Sequence, residues 1–268
     1  DEIRMPDIGK TITSLTASAA TTYPRELVNG DFEYPSMKSL QHYFTGIDRN
    51  RSQWISNGQG DDLAKWSDIP GGLDTTRFGW SSTQTQGAMS EQRANAVELQ
   101  KATGETTQMG ELCASQKGTA IYQDIATIPG VSYRWTLKHA SLDRNHLDGM
   151  SVMIGEPGKE SAQDARRTTV NGNGDQPGDV GKVISTKVSN DAESNHSSRN
   201  HSSRNHDGQW ETYTGTYIAT GTVTRFTFKS VSSSNNVNGN ILDDLSFTKA
   251  YRLGYDGNGG TGQVPSRT

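Results

Sequence analysis

Tyr133-Arg134-Trp135-Thr136-Leu137-Lys138-His139 alternates without a break between large apolar and polar side chains. Successive side chains on a strand point to opposite faces, so Tyr133, Trp135 and Leu137 share one face and Arg134, Thr136 and Lys138 the other. One face is core and the other meets water, as in a half-buried antiparallel strand. The same reading repeats on either side. Upstream, Ala120-Ile121-Tyr122-Gln123-Asp124-Ile125 alternates and stops at the turn pair Pro129-Gly130, and Val97-Glu98-Leu99-Gln100 makes a shorter strand. Downstream come Met150 to Ile154, two strands between Trp210 and Val231 that include Thr224-Arg225-Phe226-Thr227-Phe228, and Asn240-Ile241-Leu242-Asp243-Asp244-Leu245-Ser246-Phe247. No amphipathic helical run stands out beyond Ser90 to Ala96. The class is all-β, and many short strands predict a two-sheet antiparallel sandwich with long loops.

The 268 residues suit one large β domain with flanking segments. A hydrophobic share of 31% is low for such a domain, so part of the chain is not core. Residues 1–26, rich in Thr, Ser and Ala, read as a linker or arm, and the folded domain is expected over 27–249. Within it, residues 156–209 turn to Gly, Asn, Asp, Ser and His. They carry the repeat Asn195-His196-Ser197-Ser198-Arg199, Asn200-His201-Ser202-Ser203-Arg204. Little apolar surface is available there to offset the entropy of ordering, which predicts a disordered polar insertion. Val180-Gly181-Lys182-Val183-Ile184 is the exception, with enough apolar surface for a strand. Between Gln41 and Gln86, Trp54, Trp66 and Trp80 stand among Gly, Asp and Ser, the composition of long packed loops with short strands.

The net charge of -4, from 26 basic and 30 acidic residues, leaves no footprint for nucleic acid or an anionic bilayer. No run approaches the roughly 18 apolar residues of a membrane-spanning helix. The single cysteine, Cys113, rules out an intramolecular disulfide framework and reads as a small apolar core residue. The chain starts at Asp1 without a leader and stops at Thr268 without a terminal element, and it reads as a piece of a longer protein.

Taken in order, Leu27-Val28-Asn29-Gly30-Asp31-Phe32-Glu33, Val97-Glu98-Leu99, Ile121 to Ile125, Val131 to Trp135 and Asn240 to Phe247 form a set that resembles the galactose-binding-like jelly roll of carbohydrate-binding modules. Surface proteins of Gram-positive gut bacteria carry similar domains. The tail, Gly254-Tyr255-Asp256-Gly257-Asn258-Gly259-Gly260-Thr261-Gly262-Gln263-Val264-Pro265, resembles the opening of the β-grasp stalk repeats of internalin-type surface proteins, which places a linker or stalk repeat at 250–268. The resemblance implies a non-catalytic, monomeric recognition head on a bacterial cell surface, in a secreted or cell-wall-anchored adhesin that binds a host or dietary glycan. A host-protein ligand and a spacer role are the alternatives. It also implies that the first and last strands lie side by side and hold a structural calcium through Asp31, Glu33, Asp243 and Asp244, a hard cation that takes six to eight oxygens. The other reading of these acids is as solvated strand ends and turn caps.

Indoles stack on sugar rings and anchor protein interfaces, so Trp54, Trp66 and Trp80 are candidate ligand contacts. Arg134, Thr136 and Lys138 are candidate hydrogen-bonding partners on the wet face of their strand. Trp135 reads as core. The three repeat histidines, His196, His201 and His206, recur every five residues, a spacing that keeps them on no common face, and they read as part of a polar tract. No nucleophile elbow, zinc-protease helix or phosphate loop is present. Asp61, Asp62, Asp124, Asp143 and Asp148 offer carboxyls for a glycosidase-type pair that the sequence does not place. His139 with Asp143 or Asp148 suggests a general base with its orienting carboxylate, with no activated Ser or Cys beside it.

Overall fold

The computed structural model describes residues 22–36, 52–56, 64–65, 74–85, 95–101, 107–112, 116–142, 146–169, 177–178, 180–186, 209–234 and 239–251. The strands in chain order are β1 (Ser52–Ser56), β2 (Ala64–Lys65), β3 (Ser81–Ser82), β4 (Val97–Gln100), β5 (Met109–Glu111), β6 (Ala120–Ala126), β7 (Ser132–Ser141), β8 (Gly149–Gly155), β9 (Ser161–Ala162), β10 (Ala165–Arg167), β11 (Val180–Gly181), β12 (Ile184–Ser185), β13 (Glu211–Ile218), β14 (Val223–Ser232) and β15 (Asn240–Lys249). One helical turn, α1 (Thr75–Phe78), lies between β2 and β3. Asp74 caps it by accepting from the Thr76 and Arg77 amides, and Gly79 ends it in the left-handed region.

Two sheets face each other. The larger runs β11-β10-β13-β7-β15-β5-β4-β1-β2, and the smaller runs β12-β8-β14-β6-β3 with β9 added to β8. Among the described residues every pairing is antiparallel except β1 with β2. The expected sandwich class is therefore the observed one, and the alternation along β7 is realised as read: Tyr133, Trp135 and Leu137 are buried, while Arg134 is exposed and Thr136 and Lys138 are half-buried.

The core between the sheets is aromatic. Tyr133 stacks on Phe247 at 4.9 Å, and Phe226 lies 5.1 Å from Phe247 and 4.6 Å from Phe228 between ring centroids. Two glycines make room for it. A Cβ at Gly215 would stand 2.3 Å from the Trp135 indole, and one at Gly110 would stand 2.6 Å from the Phe32 ring. Each strand surrenders a side chain at the point where a large ring crosses it.

The entry segment Leu27 to Glu33 forms a turn instead of a strand. Asn29 and Phe32 both have positive φ. The Asn29 side chain accepts from the Tyr34 amide at 2.9 Å and donates to its carbonyl at 2.6 Å, while Phe32 is fully buried. This turn lies against the last strand: the Leu245 amide donates to the Gly30 carbonyl at 2.9 Å.

The polar tract needs a correction. β9, β10, β11 and β12 all lie inside residues 156–209, and the Val180–Ile184 run crosses from one sheet to the other, β11 joining the larger and β12 the smaller. Ile184 and Thr186 are buried. A few well-placed apolar residues suffice to pin short strands onto existing edges, which window composition averages away. The histidine repeat, Cys113, Ser90 to Ala94 and the tail from Arg252 onward lie outside the described residues.

Candidate functional site

The outer face of the larger sheet carries the candidate site. Register across β10, β13, β7 and β15 lines up the row Arg166, Thr214, Thr136 and Ser246, and the row Thr216, Arg134 and Thr248 beside it. Next along the strands come Thr212, Lys138 and Asp243. Three strands thus present threonine and serine hydroxyls between cationic side chains. The Thr136 and Ser246 hydroxyls bond each other at 2.6 Å, and Arg134 Nε donates to Thr214 Oγ1 at 3.3 Å, with Thr214 donating onward to the Trp135 carbonyl at 2.8 Å. Thr216 and Thr248 are exposed.

Toward β5 and β4 the same face closes. Ala140, Ile241, Met109 and Leu142 form a small apolar cluster with the half-buried Trp210. Beyond it, Gln100 donates to both Glu98 and Glu111, and Glu111 accepts from the Gly239 amide at 2.8 Å. The open, hydroxyl-rich part of the face is therefore bounded by a buried part.

At that boundary β15 bulges between Asp243 and Ser246, with Asp244 at φ 49°. Asp243 accepts from the Asp244 amide at 2.8 Å and from Thr107 Oγ1 at 3.2 Å, and burial pushes its carboxyl up to about 7. Asp244 swings out to meet Lys138 Nζ at 2.5 Å and holds that ammonium above its usual range. Asp31 accepts from the Glu33 amide at 3.3 Å, and Glu33 accepts from the Gln108 amide at 2.6 Å. All four acids expected to bind calcium engage protein donors. Among the described residues, no group of three or more His, Cys, Asp or Glu side chains stands together as a metal site.

The tryptophans divide. Trp80 is not a ligand contact: it is 5% exposed, stacks on Phe32 at 5.2 Å, meets Phe228 edge-on at 5.9 Å and donates from Nε1 to the Asn29 carbonyl at 2.9 Å. It locks the entry turn onto the sandwich. Trp54 belongs to β1 by its backbone, but its side chain, like all of Trp66, lies outside the described residues.

The suggested general base is also corrected. His139 is fully buried between Thr186 Oγ1 at 3.0 Å and Asn240 Oδ1 at 2.9 Å, and desolvation lowers it to about 4. Asp148 pairs instead with His146 at 2.7 Å, and Asp143 lies outside the described residues. Around His139, the Arg167–Glu211 ion pair at 2.8 Å and the Tyr213 hydroxyl, which bonds Glu211 and Thr186, build a buried polar network that fastens β12 to both sheets. Its partners hold His139 fully buried.

The outer face of the smaller sheet carries a second polar group, Asp124 with Arg225. The guanidinium is held by both carboxylate oxygens at 2.6 and 2.8 Å and lies 4.1 Å over the Tyr122 ring, with Glu160 at 3.5 Å. This group spends its hydrogen-bonding capacity on itself, whereas the larger sheet leaves side chains turned to water.

Sequence reading missed Arg166 because it sits in the tract assigned to the insertion. The threonines were legible: Thr212, Thr214 and Thr216 alternate with Tyr213, Gly215 and Tyr217, a period-two signal as clear as that of β7.

No family model matches the chain, and no curated protein matches its sequence. Solved structures that match the chain include carbohydrate-binding modules. One described as "CBM4 structure and function" is 11% identical with a TM-score of 0.32, covering 60% of this chain and 74% of that one. A native family 35 carbohydrate-binding module from Clostridium thermocellum is 13% identical with a TM-score of 0.31, covering 57% and 87%. The N-terminal CBM22-1–GH10 modules of xylanase 10B from Clostridium thermocellum, complexed with xylohexaose, are 10% identical with a TM-score of 0.30, covering 66% of this chain but 27% of that one.

Proposed function

We propose that this chain is a non-catalytic glycan-binding domain, the recognition head of a bacterial cell-surface adhesin, and that the outer face of the larger sheet is its binding surface. The observation that carries the proposal is the three-strand array of Thr136, Thr214, Thr216, Ser246 and Thr248 with Arg134, backed by a rigid aromatic core. Sugars offer rings of hydroxyls, and an array of hydroxyls and guanidinium N–H groups on a stiff sheet matches them without the cost of ordering loops. Such a shallow face predicts weak monovalent binding that multivalent display strengthens. A stalk at 250–268 belongs to the same proposal.

The test is binding of the multimerised domain to glycan and host-glycoprotein panels. Thr216→Ala and Thr248→Ala, which remove exposed hydroxyls, are each expected to weaken binding about fivefold, the equivalent of one hydrogen bond of about 1 kcal/mol. Binding unchanged in the double variant would move the site off this face. Capture of glycoproteins that survives removal of their sugars would favour a host-protein ligand, and no binding at all would leave a spacer.

A further inference from the structure

We infer that the glycan recognised by this face is anionic, its carboxylates or sulfate esters held by Arg134 and Arg166. The inference rests on the glycan-binding reading above and specifies its ligand class. Within the sheets the two other described arginines are matched to acids: Arg167 has Glu211, and Arg225 has Asp124 and Glu160; Arg25 and Arg77 lie outside the strands. Arg134 and Arg166 have no carboxylate partner among the described residues, although both are exposed on a chain whose net charge is -4. The single described hydrogen bond of Arg134 runs from Nε to Thr214, which orients the guanidinium and leaves its terminal N–H groups to the solvent.

Acids are also excluded from the ground between them. Arg166 faces Thr214 and Arg134 faces Thr216 across β13, so Gly215 and two threonines fill the diagonal. From strand geometry, two inter-strand steps and two residues along β13 put the two arginine Cα atoms about 12 Å apart. That span suits consecutive charged units of a polysaccharide better than one small anion. The acids that these strands add to the face are Asp244, already paired with Lys138, and Asp243, whose burial favours the neutral form. Guanidinium groups bind carboxylate and sulfate by paired N–H donors, while the intervening hydroxyls address the neutral part of each ring.

The experiment compares polygalacturonate with its fully methyl-esterified form, which keeps the backbone and removes the charge, and chondroitin sulfate with desulfated chondroitin, which separates sulfate from carboxylate. Duplex DNA serves as a polyanion without sugar acids. The full chain should prefer the charged member by about tenfold or more and lose that preference as salt rises from about 0.05 to about 0.5 M. Arg134→Gln and Arg166→Gln should each weaken charged-glycan binding about fivefold and together more than about tenfold, with melting temperatures unchanged because both side chains are exposed. Equal binding of charged and esterified forms, or full binding by the double variant, overturns the anionic assignment while glycan binding stands. Equal binding of DNA overturns the assignment to glycans, and failure to bind any charged or neutral glycan overturns the underlying reading as well.

Discussion

Replacing Trp80 with alanine separates a core indole from a sugar-stacking one. The side chain is 5% exposed, so nearly all of its surface leaves water on folding. Truncating a buried tryptophan costs about 3–5 kcal/mol through lost burial and the cavity left behind. The structure adds two terms. The Nε1 bond to the Asn29 carbonyl contributes about 1 kcal/mol, and stacking on Phe32 contributes about 0.5–1.5 kcal/mol beyond area. These contributions overlap, so about 4–6 kcal/mol is expected, against a total of about 5–15 kcal/mol for a natural domain. Trp80→Ala should therefore lower the urea midpoint sharply or leave the chain unfolded at about 25 °C. Trp80→Phe, which keeps a ring over Phe32 and loses the hydrogen bond, should lose a smaller part. Urea unfolding followed by circular dichroism gives both numbers, and a glycan-binding assay on folded Trp80→Phe gives the third: unchanged affinity. A Trp80→Ala variant with the wild-type midpoint and abolished binding would refute the reasoning and return the indole to the ligand face.

Stability should respond to pH through two opposed groups. Asp243, raised from 3.8 to about 7, makes the native state bind the extra proton, so its contribution is present below about pH 4 and is lost as pH rises through about 7. His139, lowered from 6.5 to about 4, contributes above pH 6.5 and loses its contribution as pH falls toward about 4. Asp243→Asn should expose the histidine slope, so that the urea midpoint climbs between about pH 4 and pH 6.5 more steeply than in the parent; parallel profiles would contradict the assignment. Thr186→Val, which removes hydroxyl bonds to His139, Tyr213 and Glu211, should cost about 1–3 kcal/mol. Exchanging residues 187–206 for a short Gly/Ser linker should cost little, since closure entropy varies logarithmically with length; equal losses in the two variants would show that the tract packs. Chelator and calcium should give superimposable thermal unfolding curves, because Asp31, Glu33, Asp243 and Asp244 already accept from protein donors. A higher melting temperature in calcium would restore the metal tie between the ends of the domain.

Alternation along single strands determined the class of this fold and most of its elements. A period of two is a local property, written into β6, β7 and β14 residue by residue, and it placed Arg134, Thr136 and Lys138 on the wet face before any partner strand was known. What those residues face depends on pairing across long separations. Thr136 meets Ser246 110 residues away, and His139 meets Asn240 101 residues away. Neither register nor sheet membership leaves a mark inside either strand. Loop composition misled at Trp80 for the same reason: Gly, Asp and Ser around an indole describe its neighbours in sequence, whereas Phe32 and Phe228, its neighbours in space, decide its burial. The polar tract hid Arg166 because its strand has three residues and borrows its order from β13. Tertiary structure alone assembled the exposed face, since its hydroxyls and cations come from four strands that only the packed sheet brings side by side.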